Sequence, residues 1–69
     1  MQLSTRNQLR AVVTAVELGD VMAIVKVELG DGQGMTAAIT REAAESLELG
    51  AGSEVLVLVK STEVMLATE

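Results

Sequence analysis

The sequence predicts a mainly β protein: a small five-stranded, OB-like barrel with one short helix between strands 3 and 4. Three observations lead there. β-Branched residues crowd into short runs, glycine-bearing turns separate those runs, and one segment alone has helical spacing. "LRAVVTAVEL", Leu9 to Leu18, contains no glycine or proline and reads as the first strand. Gly19 and Asp20 mark a turn, and "VMAIVKVELG" from Val21 reads as the second strand. "DGQG", Asp31 to Gly34, supplies a hairpin loop, and "MTAAIT" a short third strand.

"TREAAESLELG" changes period. Ala43, Ala44 and Leu47 fall on one face with Glu42, Glu45 and Glu48 between them, so this segment predicts the helix. Thr40 is placed to cap it, Glu42 suits the dipole of its first turn, and Gly50 fits a left-handed stop. After "GAGS", "EVLVLVKST" reads as the fourth strand and "EVMLAT" as the fifth. Strand, strand, strand, helix, strand, strand is the order of a barrel of the oligonucleotide/oligosaccharide-binding type. The whole chain, 1–69, forms one domain with no repeat or linker.

Such a domain is close to the lower limit of what a lone core can hold together. It has no Cys and no His, so neither disulfides nor the usual structural metal sites can staple it, and with no Phe, Trp or Tyr its core is built of small aliphatics. Self-association is the remaining source of stability. The fourth strand agrees: Val55, Val57 and Val59 face one side while Leu56 and Leu58 face the other, where a lone antiparallel sheet would turn a polar face to water. The chain shows no secretory leader and no apolar run of membrane-spanning length, and it lacks Cys; a cytoplasmic location is expected.

The residue inventory removes most chemistries. Without His or Cys there is no imidazole base, no thiolate and no ordinary transition-metal ligand set, so no catalytic residue and no metal ligand is assigned. Glu42 and Glu45 lie three apart as a solvated helix face would place them. "DGQG" lacks the alternating oxygen ligands of a calcium loop. A net charge of −5, with neither a basic groove nor aromatic platforms, argues against nucleic acid and anionic membranes as partners.

The charge is unevenly spread. The chain opens "MQLSTRNQLR", where Ser4, Thr5, Arg6 and Asn7 are all donors and no acid precedes Glu17. A second donor set, Lys60, Ser61 and Thr62, follows the fourth strand, and Thr40 stands at the helix start. A tetrahedral dianion such as molybdate, tungstate or sulfate only accepts hydrogen bonds, so its site needs hydroxyls, amides, backbone N–H groups and one or two cations.

"STRNQLRAVVTAVELGDVMAIVKVEL", "TAAIT" and "VLVLVKSTEVML" together resemble the molbindins, small cytoplasmic molybdate- and tungstate-binding proteins whose domain recurs in molybdate transporters and regulators. The signature is Ser-x-Arg-Asn near the start with Lys-Ser-Thr near the end. The resemblance implies the OB-like barrel and a hexamer, a trimer of dimers, with oxyanions held between subunits. It implies a hydroxyl from Ser4, backbone amides from Thr5 and Arg6 with the Arg6 side chain nearby, Asn7 within the signature, and charge and donors from Lys60 and Ser61. Thr40 would face them from another subunit. Ala43 stands where the family often has a serine, so one hydroxyl is missing. A possible second site is implied at the turn Gly19, Asp20, Val21 and Met22, where Met22 occupies a position commonly polar.

The sequence therefore reads as a non-enzymatic homo-oligomer that binds molybdate or tungstate at subunit interfaces, buffers or stores it in the cytoplasm, and uses no organic cofactor. The alternative is a regulatory or assembly module of a molybdate-responsive transporter or regulator; no DNA-binding or ATPase segment accompanies the domain in these residues.

Overall fold

A computed structural model describes residues 5–69. Four antiparallel strands, β1 (Asn7–Leu18), β2 (Met22–Leu29), β3 (Gly34–Thr40) and β4 (Glu54–Val59), form one curled sheet in the order β3-β2-β1-β4. A six-residue helix, α1 (Arg41–Ser46), follows β3, and a single 3-10 turn, Ser61–Glu63, follows β4. No helix is long and apolar enough to cross a membrane.

Strand β1 organises the sheet because it is long enough to pair on both sides. It pairs with β2 from Ala11↔Leu29 to Leu18↔Ala23 and with β4 from Asn7↔Val59 to Val12↔Glu54. The β1–β2 register shifts between Val13 and Ala15, the signature of a bulge, which bends a strand and increases its twist. At the same place Val13 exchanges hydrogen bonds with the loop before β4, its N–H donating to the Ser53 carbonyl and its own carbonyl accepting from Gly52 N–H, both at 2.8 Å.

Alternation along each strand sends one set of side chains to the concave face. Ala11, Val13, Val25 and Val27 form the buried centre there, with Val16, Leu29, Met35, Ala37, Ile39, Leu49, Val55 and Val57 packed round it. Ala44 of α1 is buried as well, and the helix packs on β2 and β3. Every buried residue among those described is an alanine or a valine, so each contributes little apolar area.

Two local expectations are corrected. The fifth strand, expected in "EVMLAT", is absent: the 3-10 turn carries the chain away from β4, and Val64 is extended but has no ladder partner. Strand geometry needs a neighbour to satisfy its backbone, and residues 64–69 lie outside every strand of the sheet. Met65 and Leu66 are consequently 92% and 93% exposed. The helix also stops earlier than Gly50. Leu49 N–H donates to the Ala44 carbonyl at 3.1 Å and Glu48 N–H to the Glu45 carbonyl at 3.0 Å, the paired bonds of a Schellman stop, and Glu48 takes the left-handed conformation with φ 53°.

Other local readings match the structure. Thr40 caps α1, its Oγ1 accepting from Ala43 N–H at 3.0 Å. In the β2–β3 loop the Asp31 carboxylate accepts from the backbone N–H and the side-chain amide of Gln33, at 3.0 and 2.9 Å, so it organises a turn. Val55, Val57 and Val59 are half-buried on the concave side, while Leu56 and Leu58 are exposed on the convex side.

Candidate oxyanion-binding site

The antiparallel register of β1 and β4 builds the site. Asn7 pairs with Val59, so the residues just before Asn7 and just after Val59 meet at one end of the sheet although more than fifty positions separate them in the chain. Thr5, Arg6, Lys60, Ser61 and Thr62 line a cleft of about 310 Å³ there. The lining offers two cations and three hydroxyls and contains no carboxylate.

The backbone adds donors. The 3-10 turn is closed by Glu63 N–H on the Lys60 carbonyl at 2.9 Å and Val64 N–H on the Ser61 carbonyl at 3.4 Å. The N–H groups of Ser61 and Thr62, at the start of that turn, have no acceptor among the described residues. Lys60, Ser61 and Thr62 are all exposed in the single chain, and Thr5 is half-buried. The cleft is thus a shallow cradle of donors with one wall open.

Asn7 acts beside the cleft. Its Nδ2 donates to the Val59 carbonyl at 3.1 Å, tying the first residue of β1 to the last of β4 and so holding the two donor sets together. Thr62 was not among the site residues expected from sequence, yet it lines the cleft. Its signal was present in the "KST" run, but the fourth strand, expected to run through Thr62, ends at Val59, and that expectation hid the turn that brings its side chain round. Ser4 lies outside the described residues.

Thr40 and the Gly19–Met22 turn are brought together, at the other end of β1 from the cleft. Met22 pairs with Thr40, and the Arg41 N–H donates to the Val21 carbonyl at 2.8 Å. The turn closes with Gly19 N–H on the Met22 carbonyl at 2.8 Å, and a Cβ at Gly19 would stand 2.9 Å from that same oxygen, so glycine is required. Thr40 Oγ1 accepts from α1, which leaves its hydroxyl hydrogen to donate elsewhere. Within one chain Thr40 and Lys60 stand at opposite ends of β1. Ala43, where a second hydroxyl was expected to be missing, is half-buried and supplies the N–H that Thr40 receives.

A larger groove of about 540 Å³ lies between β1, β2 and β4. It is mostly apolar, Arg10, Glu28 and Glu54 are its charged lining residues, and two carboxylates make it unsuited to a dianion. Size alone therefore does not select the functional cleft; donor chemistry does.

Comparison with known proteins follows the same line. The family model described as the TOBE domain matches residues 3–66. A probable molybdenum-pterin-binding protein of Haemophilus influenzae is 36% identical over 69 residues, covering 100% of both chains. Two solved structures superpose closely: MopII from Clostridium pasteurianum, with TM-score 0.91, 36% identity and coverage of 97% of this chain and 100% of that one; and a molybdate-binding protein from Sporomusa ovata, with TM-score 0.94, 37% identity and coverage of 99% and 100%. The chain also matches longer proteins, and it spans only about a quarter of their length: 26% of the molybdenum transport protein ModE of Azotobacter vinelandii, at 45% identity, and 25% of MopA of Rhodobacter capsulatus, at 48%. On these matches the chain belongs to the TOBE-domain family and, within it, to the molybdenum-pterin-binding (Mop) proteins, the molbindins.

Proposed function

We propose that the protein binds molybdate or tungstate reversibly in the cleft between the β1 and β4 ends, with the sites completed at subunit interfaces of a homo-oligomer. The observation that carries this reading is the cleft itself: Thr5, Arg6, Lys60, Ser61 and Thr62 converge, with two cations, three hydroxyls and no carboxylate in the lining. The names of its relatives support the same ligand class. Thr5 and Arg6 contribute amides and the Arg6 charge, Lys60 an ammonium, Ser61 and Thr62 hydroxyls and free N–H groups, Ser4 a hydroxyl, and Thr40 of a neighbouring copy a further donor. Asn7 positions the cleft. The turn Gly19, Asp20, Val21 and Met22, packed against Thr40, forms a second anion contact.

Assembly is supported by what the single chain leaves uncovered. Val64, Met65 and Leu66 are exposed, Val55, Val57 and Val59 are only half-covered, and the outer edges of β3 and β4 are unpaired in the sheet. Pairing of residues 63–68 with a sheet edge of another copy would supply the fifth strand and close the barrel. A hexamer built as a trimer of dimers is the assembly we infer. No bond is made or broken in the cleft, so the role is storage or buffering of the anion in the cytoplasm and not catalysis. A second reading, a sensing or assembly module of a larger molybdate-responsive protein, is favoured by the quarter-length match to ModE.

Selectivity tests the ligand. The lining holds no carboxylate to accept the O–H of protonated phosphate, and donors fixed at interfaces can be spaced for the larger anion. Calorimetric titration should show molybdate and tungstate binding with sulfate and phosphate as poor competitors. Equal affinity for sulfate would refute the assignment.

A further inference from the structure

Arg41 follows Thr40 directly and makes three contacts that no sequence pattern announced. Its backbone N–H donates to the Val21 carbonyl at 2.8 Å, and its Nη1 to the Gly19 carbonyl at 3.2 Å. Its Nε stands 3.5 Å from Glu45 Oε1, one turn along α1. The same residue therefore grips the Gly19–Met22 turn twice and is itself braced by the helix that Thr40 caps.

This grip sets the direction of the turn's donors. In a trans peptide the N–H points opposite to the carbonyl of the preceding residue. With the Gly19 carbonyl drawn toward Arg41, the Asp20 N–H is turned away from α1, and it has no acceptor among the described residues. Thr40, paired with Met22 on the adjoining strand, presents its remaining hydroxyl hydrogen from the same corner.

We propose that Arg41 is a positioning residue for oxyanion binding: by clamping the Gly19–Met22 turn to the start of α1 it fixes the Thr40 hydroxyl and the Asp20 N–H as one unit for an anion held between copies. This rests on the proposed molybdate reading, and the two fail separately. If the wild-type protein does not bind molybdate, that reading is wrong; if it binds and Arg41 makes no difference, the present inference is wrong.

Molybdate affinity is measured by equilibrium dialysis on the assembled protein, with light scattering to verify assembly. Arg41→Met should bind roughly tenfold more weakly, the size expected for losing a hydrogen bond to a charged donor in an exposed setting. Arg41→Lys should fall between it and the wild type. Arg10→Met, the same charge change on the convex face, should bind as the wild type does. Thr40→Val and the Thr40→Val/Arg41→Met double variant close the cycle: a positioning role predicts that the double variant loses less affinity than the two single losses combined. Unchanged affinity in Arg41→Met, an equal loss in Arg10→Met, or fully additive losses would each overturn the proposal. Should Arg41→Met fail to assemble, Arg41→Lys replaces it, since one ammonium cannot span Gly19 and Glu45; a several-fold loss is expected there, and undiminished binding overturns the inference.

Discussion

Replacing Lys60 with methionine should weaken molybdate binding by roughly tenfold to a hundredfold while leaving the oligomer intact. Lys60 is one of two cations in the cleft, and the assembled site would desolvate the dianion partly, so the ammonium supplies a charge-assisted hydrogen bond that no neighbouring hydroxyl can replace. The methionine keeps a comparable apolar stem, so packing at the end of β4 survives the change. A lysine that merely reached from the strand end into water would lose little. Equilibrium dialysis with light scattering separates these outcomes: an intact oligomer with undiminished binding would remove Lys60 from the site.

Assembly should be equally decisive for stability. Only six of the described residues are buried in the single chain, all of them alanine or valine, whereas Met65 and Leu66 stand almost fully exposed. A chain of this kind gains most of its apolar burial from neighbours, so its apparent melting midpoint should rise with protein concentration, and no folded monomer should persist at micromolar concentration. Placing charges in the tail, as in Met65→Asp with Leu66→Asp, should abolish assembly, since each buried unpaired carboxylate at an interface carries a large desolvation cost. Sedimentation showing a compact, folded monomer for the wild type would contradict this.

The parts of the fold legible in the sequence were those governed by local rules. Thr40 with Ala43 three residues on specified the helix start, Gly19 specified the tight β1–β2 turn, and alternation in "VLVLV" specified a strand with two apolar faces. The misreadings came where a local preference was satisfied by something outside the segment. "EVMLAT" has strand composition, but a strand forms only against a partner edge, and the preceding 3-10 turn leads it away from its own sheet. Gly50 looked like the helix stop, yet Glu48 accepts the left-handed conformation because two backbone bonds close around it.

The site was legible as chemistry before it was legible as geometry. Two donor-rich runs stand at opposite ends of the sequence, and the Asn7↔Val59 pairing that joins them depends on long-range register. Thr62 emerged only with the turn at Ser61–Glu63, and Arg41 only with its bond to Gly19, a carbonyl twenty-two positions away. The donor run "KST" showed Thr62 but not its place in the cleft, and Arg41 has no sequence signature, because both placements follow from how the chain bends after a strand ends.

The claim that most needs testing is that an oligomer of this chain holds molybdate between its subunits. Native mass spectrometry of the protein with and without molybdate tests it in one measurement. The account predicts a defined oligomer, no folded monomer, and a mass increase on addition of molybdate that corresponds to whole bound anions and disappears when the assembly is dissociated. A monomer, or an oligomer whose mass does not change with molybdate, would contradict it.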